Sequence, residues 1–157
     1  MYECTHIIIV NQQYSFIEIN CVLGQVKLPK YLEEDDISPD HLDGTKIKDT
    51  LLDIYGLLQT MAAGMEQVVW DEERDREEFA QKFSAAEKKL ISVLCDLQMV
   101  IVGSHIKTRP DVTRDVMVEE QRNLDSTNTK LRDWTIFRDY MNTLNYVHKT
   151  LSNLTTK

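Results

Sequence analysis

From residue 46 onward, Ile47, Leu51, Ile54, Leu58, Met61, Met65 and Val68 recur at spacings of 4, 3, 4, 3, 4 and 3. That rhythm puts all seven on one face of a helix. Asp43 or Thr45 is placed to cap its first amides. The stripe lapses in the charged run Asp71 to Glu78 and resumes as Phe79, Phe83, Ala86, Leu90, Val93, Leu97 and Val100. A single helix from 46 to 102 would be about 85 Å long, too long for a compact domain of this size. A short connection is therefore expected near Asp71 to Arg74, with Asp75 and Glu78 spaced as a capping box for the second helix. Gly103 suits a left-handed residue just past its end, and Pro110 follows.

A further stripe runs through Leu131, Trp134, Phe137, Met141, Leu144, Val147, Leu151 and Leu154. Between the stripes, residues 112–124 form either a short extra helix or the end of a connection. Near the start, Ile7, Val10, Tyr14, Ile17 and Cys21 also fall at heptad spacing, although Ile7 to Val10, Tyr14 and Phe16 would suit strands. Helix is the expectation for residues 5–23, because a lone hairpin beside three long helices would lack a partner sheet. Residues 24–44 then make a long connection. Four amphipathic helices with a long first connection predict an all-α fold, a four-helix bundle in up-up-down-down order, as one domain over 1–157.

Composition narrows the class. The chain has 157 residues, 18 Lys plus Arg against 26 Asp plus Glu, and a formal charge of −8. A surface of that sign disfavours nucleic acid and anionic membrane as partners. The early apolar run, Ile7 to Val10, is far short of the roughly 20 residues a spanning helix needs, so membrane insertion is not expected. No basic segment precedes that run, so no signal peptide is expected in this sequence. The chain is then either cytosolic or begins near the mature start of a secreted protein. Cys4, Cys21 and Cys95 allow at most one internal disulfide, and three buried free thiols are the simplest reading. Asn153-Leu154-Thr155 fits the N-glycosylation pattern.

Signatures of catalysis are missing. His6, His41, His105 and His148 are scattered, no His-Glu-x-x-His or Cys-x-x-Cys occurs, and neither a phosphate-binding Gly-rich loop nor a Gly-x-Ser-x-Gly elbow is present. The run Asp71 to Glu78 lacks the glycine and alternating oxygens of a calcium loop and reads as a solvated helix end. His148 lies near the apolar face of the last helix, where a core histidine is the simplest assignment. A non-enzyme without cofactor, metal or small-molecule substrate is expected.

Three stretches carry a family resemblance. Gly44-Thr45 through Leu52-Asp53-Ile54-Tyr55-Gly56-Leu57-Leu58 resembles the second helix of the leukaemia inhibitory factor and ciliary neurotrophic factor branch of four-helix cytokines. Leu90 to Leu97 is similar to the third helix of leukaemia inhibitory factor, and Lys130 to Tyr140 to the start of the fourth helix in the cardiotrophin-like members. The resemblance covers residues 44–154 and implies a protein that binds and clusters receptor chains. In that branch a Phe-x-x-Lys motif at the start of the fourth helix contacts the signalling receptor. Lys130 matches its Lys, whereas Thr127 stands at the Phe position, a departure that puts the usual receptor in doubt.

Thr127, Lys130, Arg132, Trp134 and Arg138 are thus the candidate receptor-binding residues, although Trp134 also lies in the apolar stripe. Lys130, Arg132 and Arg138 form a basic group on an acidic protein, suited to steering an acidic partner. The leading expectation is an extracellular cytokine, secreted from a longer precursor or released without a signal. The alternative is a cytosolic helical adaptor that uses the same outward faces.

Overall fold

A computed structural model describes residues 44–75 and 79–155. Residues 5–23 and 24–43, on which the first helix and most of the first connection were expected, lie outside the described residues. Within them the chain is all-helical, with no strand. Helix α1 spans Gly44–Asp75, α2 Ala80–Gly103, α3 Glu119–Arg122 and α4 Ser126–Thr155, with a 3-10 turn at Arg114–Val116. The last two short pieces give residues 112–124 the extra helical turn that was one of the two readings.

The first helix does not break at Asp71 to Arg74 but continues through them. Asp71 is buried and accepts hydrogen bonds from Arg132 of α4 and from Gln67 Nε2 at 2.9 Å, so packing secures a turn that local sequence would have released to solvent. Of the expected capping box, Asp75 is the last residue of α1 and Glu78 lies outside the described residues. Phe79 occupies the capping position without a side-chain bond, and its carbonyl accepts from the amides of Lys82 (2.9 Å) and Phe83 (3.0 Å). At the other end Gly103 is the last residue of α2, and the left-handed conformation falls on His105, at φ 54°. The His105 amide bonds the Val102 carbonyl and the Ile106 amide that of Ile101, both at 3.0 Å. This pair of bonds is a Schellman closure, and it carries Ile106 back towards buried Ile101.

The directions of the helices follow from who meets whom. Only a few residues separate α1 from α2, so these two are antiparallel. Arg132, near the start of α4, pairs with Asp71, near the end of α1. One turn further on, the Phe137 ring meets Phe83 of α2 edge-on at 5.3 Å. Helix α4 therefore starts where α2 starts and runs parallel to it. Both pack on α1.

Parallel neighbours need a return path the length of the bundle, and residues 104–125 supply it along the outer side of α1. Arg109 pairs with Asp53, and with Asp49 at 3.8 Å. Gln59 donates to Asp111 (2.7 Å) and accepts from the Val112 amide (3.2 Å). Arg114 forks onto Glu66, its Nε at 2.6 Å, with its guanidinium 5.4 Å from the Trp70 ring centre. Met117 then enters the core.

Ile54, Leu58, Met61, Met65 and Val68 of α1 form the centre of that core with Leu90, Leu97, Ile136, Tyr140 and Val147. On α4, however, the buried face is rotated from the apolar stripe. Thr129, Arg132, Ile136, Asp139, Tyr140, Thr143, Val147 and Thr150 are buried, while Leu131 is exposed. The reason is the partner: this flank of α1 offers Asp71 and Gln67, which select polar side chains opposite them. His148 is exposed, so it is no core histidine, and the Cys95 thiol is exposed rather than buried.

Candidate functional site

Helix α4 begins at a well-made cap. Asp125 accepts from the backbone amides of Thr127 (3.1 Å) and Asn128 (3.0 Å) and from the Asn128 side chain (2.8 Å). The Asn128 amide and side chain hold the Asp125 carboxyl below its usual range. This fixes the first turn, from which Thr127 and Lys130 face solvent.

One turn on, the candidates part company. Arg138 donates Nε and Nη2 to Asp139 Oδ1 at 3.0 and 2.9 Å, with its guanidinium 5.7 Å from the centre of the Trp134 ring. Trp134 is 52% exposed, so half the ring is presented rather than packed. Asn153 lies in the last turns of α4. Arg132 does the opposite of what an outward basic group requires, being only 1% exposed. The expected trio of Lys130, Arg132 and Arg138 is thus a pair on the surface, because Arg132 is drawn inward by carboxylates on two helices.

That inward cluster was not anticipated. Arg132 Nε and Nη2 bond Asp133 Oδ1 at 2.9 and 2.6 Å, Nη2 also reaches Asp71, and Nη1 bonds the Gln121 carbonyl at 2.6 Å. Arg74 adds a second cation to Asp71 at 3.0 Å. One guanidinium thereby ties α1, α3 and α4 together where α4 begins. Burial pushes the Asp133 carboxyl up to about 6, against the pull of Arg132. The only sequence signal was faint: Gln67 and Asp71, four residues apart, flank the α1 stripe.

Among the described residues no group of three His, Cys, Asp or Glu is placed to hold a metal ion, and no helix is long and apolar enough to cross a membrane. A solvent-open depression of about 460 Å³ lies between Glu73 and the first turns of α2, lined by Ala80, Gln81, Ser84, Ala85 and Lys88. What the arrangement offers is a helix end with a capped first turn, the Lys130 and Arg138 cations and a half-open indole. No protein family, curated protein or solved structure matches the chain.

Proposed function

We propose that this chain is a receptor-binding helical cytokine, acting by engaging and clustering cell-surface receptor chains rather than by catalysis. The observation that carries the reading is the order of the three long described helices, α1 up and α2 and α4 down, with α2 and α4 parallel and joined by a connection as long as the bundle. Adding residues 5–23 as a helix parallel to α1 gives the up-up-down-down order that the family resemblance implies. Thr127 and Lys130, on a turn that the Asp125 cap holds rigid, form the contact end, with the Arg138 and Trp134 pair one turn below. Rigid presentation lowers the ordering cost of binding. The site of action is then extracellular.

The test is saturable binding of the labelled chain to intact cells, competed by unlabelled chain, with cross-linking to count the receptor chains held. Lys130→Glu should weaken that binding at least several-fold while leaving the melting temperature unchanged. Equal binding by the variant removes the start of α4 as the contact surface, and absence of saturable binding removes the cytokine reading. A second reading, a cytosolic adaptor, draws support from the exposed free thiol of Cys95, which suits a reducing compartment.

A further inference from the structure

The enclosed charges at the start of α4 do not balance. Arg132 Nη2 donates to both Asp71 Oδ2 and Asp133 Oδ1, so two carboxylates share one nitrogen of one guanidinium. All three side chains are shut away from water, whereas Arg74, which reaches Asp71, stands 60% in solvent. Inside the enclosure two negative charges therefore meet one positive charge, and a single proton evens the balance.

Acceptors outnumber donors there as well. The Gln121 carbonyl takes Arg132 Nη1, and Gln67 Nε2 is given to Asp71. The Gln121 side-chain oxygen is enclosed without a donor among the described residues. A carboxyl that holds a proton brings the O–H such a site is short of, whereas a carboxylate only accepts. The charged groups that act on Asp133 are Arg132 on its own helix and Asp71 and Arg74 on α1. On α3, Arg122 donates instead to the Arg114 carbonyl.

What the cluster holds is weak by itself. Helix α3 is four residues long, and Val118 caps it without a side-chain bond. A single turn does not persist in water unaided. Two contacts fasten it to the bundle: buried Met117 just before it, and the 2.6 Å bond from Arg132 Nη1 to the Gln121 carbonyl. Asn123 to Asp125 then join it directly to the turn that carries Thr127 and Lys130.

We infer that Arg132, Asp71 and Asp133 form a proton-operated clasp: uptake of one proton by the two carboxylates tightens the hold on α3 and Met117, and its loss lets them open locally while the three long helices stay packed. The direction follows from where the proton is bound. In the closed clasp burial holds the Asp133 carboxyl at about 6, and in the open one it returns to water and its ordinary 3.8. The closed form therefore binds the proton more tightly, and its advantage is lost as pH rises through 6. These two values make opening about tenfold more frequent at pH 7 than at pH 5.

Backbone hydrogen exchange on the full chain reads this opening without any receptor, so its outcome is separate from that of cell binding. The Met117 amide bonds the Arg114 carbonyl and the Asn123 amide that of Glu119, both at 3.1 Å. Divided by the rate of an unstructured peptide at the same pH, exchange at both amides should be about tenfold faster at pH 7 than at pH 5. At either pH it should outpace exchange at Leu90 in the core. In Asp133→Asn, which keeps an acceptor for Arg132 and has no charge to lose, the corrected rates should be the same at the two pH values. Equal corrected rates in the natural chain overturn the inference, whether or not the variant folds. So does exchange at Met117 and Asn123 as slow as at Leu90, since they would then open only with the whole fold, and so does a pH effect that survives in folded Asp133→Asn.

Discussion

The middle of the bundle and the end where α4 begins are equally shielded from water, yet they are held by opposite chemistry. In the middle, Ile54, Leu58, Met61 and Met65 meet Leu90 and Ile136 through apolar contact alone. At the end, Arg132 sits among Asp71, Asp133 and the Gln121 carbonyl. Apolar packing is tolerant of small rotations, because any oily neighbour serves. An enclosed ion cluster is not, since each charge has lost its hydration and has one geometry that replaces it. The comparison teaches a division of labour: the middle supplies stability and the end sets how α4 is turned on its axis.

The sharpest way to break this contrast is Arg132→Met, which leaves Asp133 enclosed without its cation and Asp71 with only the exposed Arg74. It should cost about 3–5 kcal/mol in denaturant unfolding. Replacing Arg132, Asp71 and Asp133 together by Met, Leu and Leu should recover that loss, and a failure to recover would mean the cluster stabilises in its own right. In the middle, Leu58→Ala should cost about 3 kcal/mol by leaving a cavity.

A subtler probe is pH. Asp133 takes up its proton near 6 in the folded chain and near 3.8 in the unfolded one. The stability tied to this proton is complete below about 3.8 and is lost as pH rises through 6. Lowering the pH from 7 to 5 should therefore raise the melting temperature relative to Asp133→Asn, in which this part of the pH dependence disappears. The smallest effect is at Thr143, whose enclosed hydroxyl has no hydrogen-bond partner among the described residues. Thr143→Val should gain about 1 kcal/mol, read as a small rise in melting temperature.

What the sequence made legible is what spacing alone can encode. The α1 stripe from Ile54 to Val68 is buried as its rhythm demands, and the existence of α2 and α4 as long helices followed from the same count. The depth of each residue on α4 was not legible, because it depends on α1. Arg132 is buried for the sake of a carboxylate 61 positions away, and no local pattern records that partnership. The surface role assigned to Arg132 failed for this reason, while Thr127 and Lys130, governed by a cap two to five residues away, stand where a reading of the local chain puts them. The left-handed turn went to His105 rather than Gly103 because closure depends on which carbonyl Ile106 reaches.

The strap along α1 has a consequence for how the molecule is made. Helices α1 and α2 are neighbours in sequence and can zip together as soon as both have left the ribosome. Helix α4 is synthesised last and must close a loop of tens of residues before its guanidinium can find Asp71, an entropic delay that grows only slowly with loop length. By tacking Arg109 and Arg114 onto α1 on the way, the strap divides that long search into short ones. Severing it after synthesis should leave the finished protein standing but slow its return from the unfolded state.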